Sequence, residues 1–411
     1  MAKKPSKDPQ NTEKGAAGWK SLLNRPNPDY EPIDYEERLK RHRIRQLLKL
    51  LLILLVIAAV ISAVFLYITR RTYRNFRILE SREQEDIVST KYAEMDGSIL
   101  RYSSEEVSLV NSNMDTMWSV TYSMQNPVAD VRGSKAVIAD KDGTSLKMFD
   151  KNGLTGSTDT SYSIVKAKVS NKGMVAAILD GGDDTWINFY APDGSLIAEN
   201  QTKIDDPGYP MDVSISDDGV IMMVTYQYVQ GGKVTSYVAF YNFGDVGQNE
   251  DDRIVSGYTY EDVVIPQVSY MGGSVSAAVR EDGITLYQGK QIPKEMTTVR
   301  VDQEIVSTFM DDNAIGLVFK NDNADKVYTM EVYGTSGKLK FKKDFNIPYT
   351  TIRISKGYIL MFNSSQLCVM NEKGETRYAG NVDGAIRNFF RLGFNKYLLV
   401  LDSGINIIKF T

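Results

Sequence analysis

The residues with most chemical promise in this 411-residue chain are carboxylates that recur in short loops between apolar runs. They are Glu105/Glu106, Asp140/Asp142, Asp180/Asp183/Asp184, Glu281/Asp282, Asp322/Asp325 and Asp402, while the equivalent loops around Gln230 and Ser364 carry none. Like charges gathered round a concavity sum into a field suited to cations or a basic partner. The plainer reading is turn chemistry, because Asp side chains accept hydrogen bonds from main-chain N–H groups nearby. Asn321–Asp325 resembles a calcium loop, but Lys326 stands where the turn glycine belongs and Val332 where the bidentate Glu belongs. That loop and the acidic stretch 245–252 (DVGQNEDD) both read as solvated loops.

Nucleophiles and soft ligands are scarce. The one cysteine, Cys368, lies in the apolar run Gln366–Met370 and is expected to be a buried core residue. The one histidine, His42, sits between Arg41 and Arg43, far in sequence from the acidic loops. This inventory builds neither a disulfide framework nor a Cys/His zinc site. Ser-His-Asp order, phosphate loop and dinucleotide fingerprint are all missing from the sequence. No catalytic residue, cofactor ligand or metal ligand is therefore assigned. Tyrosine is abundant, with Tyr226/Tyr228 and Tyr258/Tyr260 at period two; residues at that spacing share one face of a strand, which suits packing better than a carbohydrate platform.

The loops must be held by regular elements, and these repeat. From about Ile87 onward, short alternating runs rich in Val, Ile, Tyr and Thr are broken by Gly and Asp turns. One turn recurs at Gly97, Gly133, Gly173, Gly219, Gly273, Asn313, Gly357 and Asn395, at intervals of 36, 40, 46, 54, 40, 44 and 38 residues. That spacing is the length of a four-stranded propeller blade. A second Gly turn follows in the same phase at Gly153, Gly194, Gly337 and Gly374. The fold expected is an all-β propeller of eight blades, with seven as the alternative. The last unit supplies only three strands, so ring closure needs a strand from before the first blade, such as Glu85–Ser89.

Ahead of the repeats, Leu50–Thr69 is an uncharged run of 20 residues, enough to cross about 30 Å of hydrocarbon as a helix. It is too long for a signal peptide and is followed by no small-residue cleavage site, so a retained anchor is expected. Residues 1–49 carry 12 Lys/Arg against 7 Asp/Glu, whereas the chain from Lys91 carries 31 against 41. A basic tail and an acidic distal domain point to two compartments, with the N-terminus cytoplasmic and the propeller outside. The acidic balance also argues against nucleic acid. The division expected is a disordered basic tail at 1–34, a juxtamembrane and transmembrane helix at 35–86 with its span near 48–69, and the propeller at 87–411. Charged flanks at Tyr35–Gln46 and Arg71–Gln84, free of Gly and Pro, are expected to extend the helix on both sides.

Several stretches resemble a family of uncharacterised single-pass membrane proteins of Gram-positive bacteria, known only by a domain of unknown function. They are Gly208-Tyr209-Pro210, Val238–Phe243 with Val246–Asn249, Ile99–Tyr102, Trp118 and Asn126–Val128. The resemblance implies a propeller of the quinoprotein-like or outer-membrane-assembly-lipoprotein type and brings no catalytic residues. The quinoprotein repeat ends each blade in Gly-x-x-x-Trp, which this chain lacks, so no quinone is expected. The function expected is a non-enzymatic interaction module with a protein or envelope-polymer partner, anchored in the bilayer. A transmembrane ligand sensor and a carboxylate-dependent envelope hydrolase or lyase are the alternatives.

Overall fold

The structure, a computed structural model, describes residues 35–83, 89–203, 207–321 and 327–411. The tail up to Asp34 and the acids Asp322 and Asp325 lie outside the described residues. The chain forms two units, residues 1–71 and 72–411. In the first, α1 runs from Tyr35 to Arg70, and its Arg38–Val64 portion is long and apolar enough to cross a membrane. The Tyr35 flank extends the helix as the sequence suggests. The Arg71–Gln84 flank does not, because Phe76–Arg82 is a strand, β1.

The second unit holds eight four-stranded antiparallel sheets. Seven are built from consecutive strands, within 91–121, 127–159, 163–202, 209–261, 267–300, 305–345 and 351–381. The eighth joins Ile386–Gly393, Lys396–Leu401 and Gly404–Phe410 to β1, which is its outer strand. The first strands of successive sheets lie side by side around the axis. Eight hydrophobic clusters fill the ring, one between each pair of neighbouring blades. The cluster of Tyr92, Ile99 and Val110 with Phe390, Leu398 and Ile407 joins the first blade to the eighth and closes the circle. Each blade buries both faces, so unbroken apolar runs replace strict alternation in second strands such as those containing Ala136–Ala139 and Leu398–Leu401.

Closure comes from Phe76–Arg82, seven residues long; the stretch Glu85–Ser89, where the sequence suggests the closing strand, lies outside the described residues up to Val88. Phe76 pairs with Phe410 and Ile78 with Ile408; Phe76 also meets Tyr378 edge-on at 6.2 Å. An unpaired third strand would leave a row of open N–H and C=O groups at the seam, and β1 removes it. Residues ahead of β1 are tied to the C-terminus as well. Tyr73 N–H donates to the Arg377 carbonyl at 2.7 Å, Thr411 N–H donates to Asn75 O at 2.8 Å, and the Tyr73 ring stacks on Phe410 at 6.0 Å.

Every outer strand carries a β-bulge against the third strand of its blade, with one extra residue such as Met117, Ile197, Met296 or Leu79. A bulge bends and twists an edge, which blunts it for pairing with another chain.

The meander gives the ring two unlike ends. At one, here the turn face, lie the tight turns between first and second strands and between third and fourth. All eight recurring turns of the sequence are there, from Gly97 with φ +80° to Asn395 with φ +47°. At the other, the loop face, lie the loops between second and third strands and the crossings from blade to blade. Because Phe76 pairs with Phe410, the chain enters the ring at the turn face.

Candidate functional site

Topology places Asp140, Asp142, Asp180, Asp183, Asp184, Glu281, Asp282 and Asp402 on the loop face, Asp140 and Asp180 at the ends of second strands and the others in the loops that lead to the third strands. It does not bring them together. They are spread round the ring, and among the described residues no three His, Cys, Asp or Glu side chains converge on a site for a metal ion. Most are engaged locally. Asp140 is buried and accepts from Gln125 N at 3.1 Å and Asn126 N at 2.7 Å, shaping the crossing from the first blade. Asp180 accepts from Gly182 N at 2.8 Å, Asp184 from Gln201 Nε2 at 2.6 Å, and Glu281 from Val264 N at 3.2 Å. Asp402 is paired with Arg387. Turn chemistry accounts for these acids better than a charged ring does.

Asp282 leads to a different feature. Its two oxygens accept from Arg280 Nε at 2.6 Å and Nη2 at 2.9 Å, and Arg300 lies 3.8 Å away. Arg280 is only 3% exposed, and its guanidinium lies 5.2 Å from the centre of the Tyr260 ring. The Tyr260 hydroxyl meets Tyr287 Oη at 2.6 Å and donates to Glu295 Oε2 at 2.9 Å; Thr298 Oγ1 donates to Glu295 Oε1 at 3.1 Å. These groups border a cleft of about 570 Å³ between the outer halves of the fourth and fifth blades, lined by Thr259, Tyr260, Glu261, Arg280, Glu295 and Arg300. Asp282 stands out in the sequence but the cleft does not, because its walls come from strands about 35 residues apart. The Tyr258/Tyr260 pair was its only trace, and it read as packing.

The electrostatics of the cleft are fixed in advance. The bidentate bond from Arg280 holds the Asp282 carboxyl below its usual range, while the same bond raises Arg280. Burial pushes the Tyr260 and Tyr287 phenols well above theirs. At neutral pH the pair stays charged and both phenols stay protonated. The cleft therefore offers hydroxyls, a carboxylate and an exposed guanidinium at Arg300 beside an aromatic ring, a set suited to polar recognition.

Among the described residues, the longest hairpin of the loop face belongs to the fourth blade, beside the cleft. Ile221–Gln230 and Lys233–Asn242 are each 10 residues long, where inner and middle strands of other blades run to 4–8. Their tip, with Val229 72% exposed and Gly231-Gly232 at the turn, reaches beyond its neighbours.

A model of a family of unknown function, DUF5711, matches residues 69–410, nearly the whole ring and its entry segment. The chain belongs to this family. No curated protein matches this DUF5711 chain in sequence. Among solved structures, Sqt1 from Chaetomium thermophilum aligns with 84% of the chain and 98% of its own at 10% identity and TM-score 0.51. A eukaryotic initiation factor aligns with 83% and 88% at 10% identity and TM-score 0.52. BamB from Moraxella catarrhalis aligns with 82% and 100% at 14% identity and TM-score 0.47. At such identities the likeness shows the propeller fold of this DUF5711 member and nothing finer.

Proposed function

We propose that this protein is a membrane-anchored interaction module whose loop face recognises a protein or envelope polymer outside the cell. α1 crosses the bilayer once, with the basic N-terminal tail in the cytoplasm. The carrying observation is the asymmetry of the ring: the chain joins it at the turn face, whereas the long hairpin and the Arg280–Arg300 end of the cleft lie toward the opposite face. Rigid strands with loops of unequal length at one end suit recognition. The chemistry of the cleft supports binding over turnover, since Arg280 and Asp282 are spent on each other and the phenols are locked in their protonated form. Photo-crosslinking residues placed at Val229 and Thr298 in intact cells test the reading. A discrete adduct from these positions, missing from a control at Leu154 on the turn face, is expected. Equal adducts from both faces, or none from the loop face, would remove the basis for a recognition surface there.

A further inference from the structure

We infer that the edge of the ring next to the chain entry rests on the lipid headgroup region, with Phe394 as its aromatic contact. This rests on the anchored reading above. Phe394 is 70% exposed in the turn between the first two strands of the eighth blade, on the turn face. The turn is pinned to the entry point: Asn395 Nδ2 donates to the Phe410 carbonyl at 2.9 Å, and Phe410 pairs with Phe76. Only residues 71–75 separate the end of α1 from β1. Fully extended, that stretch spans at most about 20 Å. A helix crossing the bilayer therefore keeps the Phe394 turn within reach of the headgroups.

The chemistry of this edge suits that neighbour. The exposed large apolar residues toward the turn face are Leu, Ile, Met and Phe, among them Met117 on the adjoining first blade at 53% exposure. Those of the loop face are Val and Tyr, such as Val229 and Tyr209. Arg74 and Arg77 lie exposed beside the entry point, where they meet anionic headgroups favourably. The acidic loop 245–252 of the fourth blade also opens on the turn face, but half the ring away from the eighth blade. Anionic lipid repels that far edge, which favours contact at the edge beside the chain entry. A Phe side chain at the headgroup–acyl boundary is a favourable placement, because its apolar ring leaves water.

The test uses the full chain reconstituted in phosphatidylcholine–phosphatidylglycerol vesicles. Single cysteines at Phe394→Cys, Met117→Cys, Val229→Cys and Ile57→Cys carry a fluorophore; the native Cys368 is buried and stays unlabelled. The substituted ring residues are exposed, so folding is not at stake. Labels at 394 and 117 are expected to be quenched by headgroup-attached nitroxide and to lose quenching by aqueous iodide, and the label at 229 to behave in reverse. Iodide access at 394 and 117 equal to that at 229, while the label at 57 reports hydrocarbon, would overturn the proposal and leave the anchor intact. A water-exposed label at 57 would instead overturn the anchor reading. Shielding of 394 in native membranes but not in protein-free vesicles would assign the edge to a protein neighbour and overturn the lipid contact.

Discussion

Arg280 shows how a single residue sets the character of a surface. It is buried between two blades, and its charge is matched by the bidentate bond to Asp282. Arg280→Met removes the bidentate donor from that carboxylate, leaving it only the longer contact to Arg300, and is expected to lower stability by about 1.5–3 kcal/mol, the range for hydrogen bonds to charged groups. Chemical denaturation of the two proteins at neutral pH measures the difference. The sign of the pH dependence follows from the lowered Asp282 pKa. A carboxyl held below its unfolded value contributes stability above that value, near 4, and loses it as pH falls through the folded one. The gap between wild type and Asp282→Asn is therefore expected to be constant at neutral pH and to shrink below about pH 4. Cys368 supplies a second expectation. Burial pushes its thiol up to about 12, so thiol reagents are expected to label the chain only after unfolding, followed by mass spectrometry. Labelling of the native protein at neutral pH would contradict the packing described.

At the scale of elements, β1 decides whether the ring is closed. A chain beginning at Thr72 keeps β1, and one beginning at Glu83 lacks it, exposing Gly404–Phe410 as an open edge and uncovering Tyr378. The shorter chain is expected to melt several degrees lower, a loss of several kcal/mol at about 1–2 °C per kcal/mol for a ring of this size, and to associate on gel filtration. Equal melting and a monomer in both cases would argue for closure by the inter-blade packing alone. Gly316 tests the blades' own tolerance. An added Cβ would lie 2.1 Å from Phe309 Cζ, so Gly316→Ala is expected to cost about 1–3 kcal/mol by overpacking. The bulges explain why the outer strands were the least legible part of the sequence. One extra residue shifts the alternation in each, as at Met117 and Ile197, and blurs the period-two pattern.

At the scale of the molecule, contacts also cross the ring. Arg132, at the end of the first strand of the second blade, meets Asp217 of the fourth blade and Asp312 of the sixth, each at 2.9 Å, and donates to the Met271 carbonyl of the fifth at 3.3 Å. Asn171 of the third blade joins at Asp217, 2.9 Å away. One guanidinium thus links blades that share no interface, at the turn-face end of the axis. Arg132→Met is expected to lower the melting temperature of the whole ring while leaving one unfolding transition, since eight interfaces share one closed circle. Calorimetry checks both, and a separate early transition would mean that the blades unfold independently. For topology, external protease on intact cells is expected to digest the ring and to spare a tag at the N-terminus; protection of the ring would reverse the orientation.

Much of this protein is set by local pattern alone. The repeat of Gly turns, the apolar runs between them and the uncharged stretch at Leu50–Thr69 follow from neighbours in the chain. They give eight blades and an apolar helix because turn geometry and hydrophobic periodicity act over a few residues. The tertiary structure alone decided which strand closes the ring, since Phe76–Arg82 has no partner until Phe410 arrives from the far end of the chain. It also decided what the acids do. A carboxylate in a loop looks the same in sequence whether it caps a turn, as Asp140 does, or fixes an arginine beside a cleft, as Asp282 does. The difference lies in Arg280, Tyr260 and Glu295, brought together by the packing of two blades. Long-range pairing sets those neighbours, and a local pattern carries no record of them.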